Sequence, residues 1–593
     1  MLRRALLLLL LCASAASGAA QGPADLVYRN GAVHTLDSAD SVRQALAVRA
    51  GRIVYVGDNG GAAALVGKRT RVVDLQGRML MPGLVDAHMH PQSGGSRLLN
   101  CSLDYQRLTV DELQTRIRAC LARDKHQDPR RWLVVVNWFQ QGMQPEGASV
   151  TAATLDALGT KRPILVRSSF GHSVQLNSRG IALAGIRQET PDPPGGKIVR
   201  DAAGRATGLL EDAAQDLAMR LLPPLSVAEN LAASRAALAA MRAQGITSFL
   251  DAWTDPETMT AFRTLQRQGK LTARAHFAVL IDLDKGATPK SAVADLLAQK
   301  RRFDQGTIRT APSLQVRHAK LFMDGVIAAP AFTGAMLEPY LVNKGTAEQP
   351  DWQPGESSGP NSYFSAEALR ATLVELARWK IDPHIHADGD RAVRDSLDAI
   401  DWLRTLKQGR DVRPALAHAE IVAPSDYPRF AALGVTPVLS FQWAKPAPDT
   451  VGALRDYLGP TRHALVEPQA LLQSAGARIA YGSDWPVDPL NAWFALKVAV
   501  TRSAAPDAGP EFAGRLTAQP GMPRAAALRA ATIDAAWTLR QETQVGSLEV
   551  GKLADFIVLD RNYFTIPAED IARIRVLQTV VGGKRVYQAG ELR

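Results

Sequence analysis

The sequence predicts an α/β fold: a parallel sheet closed into a barrel and covered outside by helices, with β-rich segments at both ends. Three observations predict it. Short apolar runs alternate with helix-like stretches through the middle of the chain. Ile246-Thr-Ser-Phe-Leu250 follows the Ala-rich segment 227–244, Pro383-His-Ile-His386 follows 365–380, and Ile479-Ala-Tyr-Gly482 follows 468–476. Strands that return through an outer helix produce this alternation. The chain has 593 residues, too many for one ordinary core, so a barrel with added domains accommodates it. Finally, the two ends share one style. Asp25–Gly31, Ala45–Gly57, Ala554–Asp560 and Val576–Tyr587 all read as short strands broken by turn glycines. The expectation is one small β domain in which residues 21–82 meet 540–593, set around a barrel at 83–539.

The stretch from about 95 to 235 is longer than one strand–helix unit requires. It contains the turn-rich Pro191-Asp-Pro-Pro-Gly-Gly196 and is read as an insertion after the first barrel strand, beside the barrel mouth. Residues 1–20 are read apart from the fold. Arg3-Arg4, the apolar run from Ala5 to Ala13 and the small residues Gly18-Ala-Ala20 before Gln21 form a secretory signal peptide. Leu11 precedes Cys12 where a lipid-anchor motif needs a small residue, and the apolar run is too short to span a bilayer. A periplasmic or secreted protein without a membrane anchor is expected.

Composition excludes several classes. Charged residues are 21% and hydrophobic ones 46%, the balance of a soluble globular protein rather than a disordered or membrane chain. The net charge of +11 falls to +9 once Arg3 and Arg4 are removed with residues 1–20. The remaining basic residues are scattered, which argues against a nucleic-acid surface. Removal also leaves two cysteines, Cys101 and Cys120; an oxidising compartment allows them to pair, but sequence leaves a bond and two free thiols equally open.

The strongest local signal is Met81-Pro-Gly-Leu-Val-Asp86-Ala-His88-Met-His90. In a strand, period two puts His88 and His90 on one side, and two imidazoles at a strand end can ligate one cation. Taken alone, His-x-His is as often a polar pair in a loop. Here it follows an apolar strand, and ligand-type residues recur after later ones: His386 in Pro-His-Ile-His-Ala-Asp-Gly-Asp390, His418 in Ala-Leu-Ala-His-Ala-Glu420, and Asp484 in Gly482-Ser-Asp-Trp-Pro486. A capping Asp or a buried His would explain any one of them. Together they sit where a (β/α)8 barrel collects its active site, at the C-terminal ends of its strands. His34, His126, His276 and His463 lack such context.

This set resembles the amidohydrolase superfamily. Gly171-His172-Ser-Val-Gln-Leu-Asn-Ser178, Lys320-Leu-Phe-Met-Asp324-Gly-Val, Leu337-Glu-Pro-Tyr340, His386-Ala-Asp-Gly-Asp-Arg391-Ala and Gly546–Asp560 are similar to its branch of large metal-dependent hydrolases that includes N-substituted formamide deformylases. The resemblance runs from about residue 25 to the end. It implies a TIM (β/α)8 barrel, a small β-sandwich domain built from both termini, and an inserted region after the first barrel strand. It also implies His88 and His90 as metal ligands from the first strand, His386 and His418 from the fifth and sixth, and Asp484 after the eighth as both ligand and proton carrier. Lys320 falls where relatives carry a lysine, sometimes carboxylated, that bridges two metals. His172 matches a histidine that faces substrate. One departure stands out: Asp388 occupies a position where relatives often carry an apolar residue, which adds an acid beside the metal.

The implied function is an exported hydrolase that cuts an amide-type C–N bond with metal-activated water and an Asp484 proton shuttle, using one or two divalent ions, Zn2+ first among them. Cyclic-amide hydrolysis or deamination uses the same ligand set, and a metal-free binding relative would have lost those ligands. The expected partner is a small-molecule substrate; self-association is left open. Trp138, Phe139, Phe441, Gln442 and Trp443 flank strand-like segments that reach towards the mouth, and Trp443 joins His172 as a substrate-facing candidate. Trp138 and Phe139 are read first as buried packing, the commoner fate of aromatics.

Overall fold

A computed structural model describes residues 22–123, 128, 130–193, 196–283 and 287–589. The signal-peptide segment lies outside the described residues. Eight parallel strands form the central sheet: β1 (Leu84–Met89), β2 (Ile246–Thr254), β3 (Arg274–Leu280), β4 (Leu314–Phe322), β5 (Asp382–Ala387), β6 (Ala415–His418), β7 (Thr436–Leu439) and β8 (Ala480–Tyr481). Each pairs with its sequence neighbour, from β1 round to β8. The seam between β8 and β1 is bridged by Asp484 N–H to the His88 carbonyl at 2.8 Å and His90 N–H to the Trp485 carbonyl at 2.7 Å. This is a TIM-like α/β fold, and its one large core wraps the outer face of the strands.

Local sequence explains where elements start and stop. The helix Val227–Gln244 opens on Ser226, whose hydroxyl caps the Glu229 N–H while Glu229 answers back, a reciprocal cap that satisfies free helix donors. It ends at Gly245 with φ of 85°, a left-handed stop that glycine adopts without strain, and β2 begins at the next residue. Gly482 answers a different need. A Cβ there would lie 2.5 Å from the His88 Cβ and 2.9 Å from Val438, so only glycine lets the segment after β8 lie against β1.

Residues 101–212 carry a separate six-stranded sheet, from Cys101–Ser102 to Ala206–Asp212. Cys101 and Cys120 are joined by a disulfide, which closes the question the sequence left open. Trp138 is buried in the core of this region and donates to the Met143 sulfur at 3.3 Å; packing is its role. At the ends of the chain, Met79–Pro82 pairs antiparallel with Phe556–Leu559 in one sheet. A second, four-stranded sheet holds Leu26–Arg29, Ala45–Arg49, Arg52–Gly57 and Arg71–Asp74. Residues of both sheets, including Tyr28, Leu46, Phe556 and Leu577, share one apolar cluster.

Candidate metal centre and substrate cavity

β1 is buried along its whole length. Its Asp86 carboxylate accepts the N–H groups of His88 at 3.2 Å and Ser483 at 3.0 Å, tying the strand to the loop that follows β8. That loop delivers Asp484. One carboxylate oxygen, Oδ1, lies 3.3 Å from His88 Nε2 and 3.1 Å from His90 Nε2. Asp484 has φ of 50°, and His418 and Ala419 have φ of 76° and 47°. Non-glycine residues in this region carry strain that clusters at functional sites, and here two of the three are ligand candidates.

The imidazoles of β1, β5 and β6 converge. Ring centroids of His88 and His418 are 4.7 Å apart, and those of His386 and His418 are 4.5 Å apart. Among the described residues, His88, His418 and Asp484 form a set whose ligand atoms lie within 4.8 Å of one another. Two buried atoms of that set, His88 Nε2 and Asp484 Oδ1, have no hydrogen-bond partner. Buried polar atoms left unmade are costly, and a divalent cation accepted by both imidazole and carboxylate removes that cost. The donor set fits a metal. His90 stands beside it through Asp484, whereas His386 turns Nε2 to the Gly325 carbonyl at 2.8 Å, leaving Nδ1 as its remaining donor atom.

His384, one pleat below His386 on β5, was not singled out by sequence. Its Nε2 lies 2.7 Å from His88 Nδ1. This bond occupies the far nitrogen of His88 and leaves Nε2 for Asp484 and a cation, the usual arrangement of a ligating imidazole. The signal was present: His384-Ile-His386 repeats the period-two spacing of His88 and His90.

Lys320 is buried on β4, in register with His384. Its Nζ sits 4.4 Å from the centre of the Phe322 ring. Asp324, the carboxylate offered by sequence as its partner, is committed elsewhere: it accepts the N–H groups of Ala335, Asp388 and Gly389, each at 2.9 Å. Among the described residues no carboxylate oxygen lies within 4.0 Å of Lys320.

These positions open on a cavity of about 2180 Å³. Its metal-proximal wall includes Lys320, His386, Asp388, His418, Glu420 and Asp484. From the insertion, His172 and Asp212 reach the same space, with His172 Nδ1 2.8 Å from Asp212 Oδ1. Trp443 stacks on His418, centroids 5.4 Å apart and planes 15° off parallel, and it too lines the cavity. Phe441 is wholly buried, and Gln442 donates to the Ser483 carbonyl at 2.7 Å; both support the Asp484 loop from below. Arg97, missed by sequence, braces the loop from the insertion side, donating to the carbonyls of Pro486 at 2.9 Å and Ser169 at 3.0 Å.

Burial sets the proton affinities. It pushes His386 down to about 3, with the Lys320 charge acting in the same direction. His88, for the same causes, lies well below its ordinary value, so these rings are neutral and have lone pairs for a cation. Lys320 is lowered to about 8, mainly by burial. Asp484 differs: burial would raise it, but the close approach of His90 and the nearby His418 hold it below the ordinary range. It is therefore a carboxylate.

An amidohydrolase family model matches residues 71–587, most of the chain. The chain is 28% identical over 586 residues to the Arabidopsis thaliana protein LONG AFTER FAR-RED 3, covering 95% of this chain and 92% of that one. It is 26% identical over 594 residues to the N-substituted formamide deformylase of Arthrobacter pascens, covering 95% and 98%. Among solved structures, an uncharacterized metal-dependent hydrolase from Pyrococcus horikoshii superposes with a TM-score of 0.68 at 22% identity, covering 92% of this chain and 99% of that chain. The chain belongs to the amidohydrolase family, whose members are metal-dependent, and is a hydrolase acting on carbon–nitrogen bonds.

Proposed function

We propose that this protein is an exported hydrolase of N-substituted amides, with a divalent ion, Zn2+, held by His88, His418 and Asp484. His90 and His386 flank the ion, and Lys320 adjoins it. The observation that carries the reading is the convergence of two neutral imidazoles and a carboxylate within 4.8 Å, with His88 Nε2 and Asp484 Oδ1 otherwise unpartnered. A divalent ion bound there lowers the pKa of a coordinated water and polarises a carbonyl. Asp484 takes the proton of the attacking water and passes it to the leaving nitrogen, which departs poorly unless protonated. His172, oriented by Asp212, and Trp443 face the substrate. The activity of the Arthrobacter relative favours N-formyl or N-acyl amines over cyclic amides.

Lys320 offers a second mode. A buried amine lowered to about 8, with no carboxylate within 4.0 Å among the described residues, has a neutral fraction near neutrality. Addition of carbon dioxide to that amine, with loss of one proton, forms a carbamate whose oxygens can bridge two ions. An unmodified lysine has donors only and cannot ligate a cation. Mass spectrometry and metal analysis separate these forms: a 44-Da addition on Lys320 with two ions per chain, or neither.

Export rests on the Arg3-Arg4 leader and agrees with the Cys101–Cys120 disulfide, a bond of oxidising compartments. Among the described residues no helix is long and apolar enough to cross a membrane. The same reading treats 21–82 and 540–593 as one β-sandwich domain, supported by the cluster its two sheets share. The decisive assay offers zinc-loaded protein N-formyl and N-acyl amines, cyclic amides and aminopurines. Release of amine with acid supports the proposal. Ring opening or release of ammonia, with the amides left intact, assigns the site to the alternative chemistry.

A further inference from the structure

Among the described residues, one wall of the cavity is acidic and has no directly paired cation. Asp388 follows β5 two residues beyond His386, and Glu420 follows β6 two residues beyond His418. Both line the cavity with Asp449. Asp388 is 1% exposed, yet its Oδ1 has no hydrogen-bond partner; Asp449 Oδ1 is likewise buried and unpartnered.

No cation of the chain is paired directly with this wall, although Lys320 acts on Asp388 and Lys445 on Asp449 at longer range. Among the described residues none lies within 4.0 Å of Asp388, Glu420 or Asp449. Lys445 donates to the Gln442 carbonyl at 2.9 Å and stands 3.9 Å from Asp488. Arg502 is held by the carbonyls of Glu467 at 2.6 Å and Val466 at 3.3 Å. Nor do the three acids make a second metal cage: their oxygens do not gather within the 4.8 Å that unites His88, His418 and Asp484. Spread carboxyl groups that ionise beside an arriving positive charge, and then only accept hydrogen bonds, suit an organic cation with several N–H donors.

We infer that the substrate carries an ammonium or amidinium-type cation, seated between Asp388, Glu420 and Asp449 beside the scissile bond. The inference rests on the hydrolase reading above and narrows its substrate class. Asp388 and Glu420 are each two residues from a ligand-type histidine, at most about 7 Å along the chain, so the cation and the reacting carbonyl are separated by a short tether.

The test has two arms, both on the full zinc-loaded chain. In the first, calorimetry compares pentylammonium with 1-pentanol, neither of which can be hydrolysed. The cation should bind at least tenfold more tightly, and Asp388→Asn and Glu420→Gln should each erase most of that preference. In the second, kcat/KM for N-acetyl-1,4-diaminobutane is compared with that for N-pentylacetamide, in which a methyl group replaces the ammonium. A tenfold or greater advantage for the charged amide is expected. Equal binding of cation and alcohol by the wild-type chain, or a preference unchanged in both variants, overturns the inference while hydrolysis of either amide leaves the hydrolase reading intact. Cation preference without hydrolysis of any amide does the reverse. Loss of one metal ion per chain in Glu420→Gln would assign the acids to a second metal and also overturn it.

Discussion

Asp484 combines a position and a charge that no other acid of the cavity shares. Its Oδ1 touches both His88 and His90, and its neighbours keep it ionised, whereas burial pushes Asp388 well above, and Glu420 up to about 8 from, the ordinary carboxylate range. Asp484→Asn keeps the shape but cannot take a proton, so turnover of an amide substrate should fall by roughly a hundredfold or more. Bound metal should decline less than in a His88→Ala, His418→Ala variant, because only one ligand changes. Near-normal turnover across pH would move the proton role to another group. A second residue, His276, contributes to the loss of stability in acid. Burial, aided by His318, pushes His276 down to about 3 from 6.5. Between those values the unfolded chain binds a proton that the folded chain refuses, so stability is present above pH 6.5 and is lost as the pH falls. His276→Gln should make that acid limb shallower by about 1.4 kcal/mol per pH unit. Urea unfolding at pH 4, 5 and 6 measures the slope, and an unchanged slope would refute the assignment.

At the scale of elements, the site exists because the segment after β8 is pressed against β1. Gly482 permits the contact, Asp86 bonds across it, and Arg97 braces it from the insertion. An alanine at 482 would put its Cβ 2.5 Å from the His88 Cβ and 3.0 Å from the His88 nitrogen. Backbone cannot yield as a side-chain tip can, so Gly482→Ala should cost about 1–3 kcal/mol. It should also displace His88 from Asp484. Metal content and melting temperature should therefore fall together; a variant that melts earlier but retains full metal would show that the seam and the site are independent.

For the whole molecule, one buried ion pair joins barrel to end sheet. Arg274, the first residue of β3, meets Asp555 with Nε–Oδ2 at 2.7 Å and Nη2–Oδ1 at 2.9 Å, both side chains essentially inaccessible. The second oxygen contact also serves Gly582 N–H at 2.7 Å. Asp555→Ala strands a guanidinium in the interior, which typically costs about 3–5 kcal/mol. The expected outcome is a large drop in denaturation midpoint with the metal centre still assembled in the surviving folded fraction. A loss under 1 kcal/mol would mean that Arg274 finds other partners, since the Thr310 carbonyl already lies 3.4 Å away.

The sequence by itself determined the α/β class, the family, and the residues offered to the metal centre. Period two in strands and strand–helix alternation are local signals, and His88, His90, His386, His418 and Asp484 each follow an apolar run. The structure brings these residues to one end of the barrel. Other parts required the third dimension. That His88 leans on His384, that Asp324 is spent on three backbone amides rather than on Lys320, and that Cys101 meets Cys120 are long-range facts without a local pattern. The grouping within the site was equally illegible. Sequence order suggests His88 with His90 and His386 with His418; in space the His418 ring lies between those of His88 and His386, and its ligand atom groups with those of His88 and Asp484, because closure of the barrel sets distances between strands that are far apart in the chain. The acidic wall has the same origin: Asp388 and Glu420 are ordinary acids in sequence and become neighbours, with no cation paired to either among the described residues, only when β5 and β6 lie side by side.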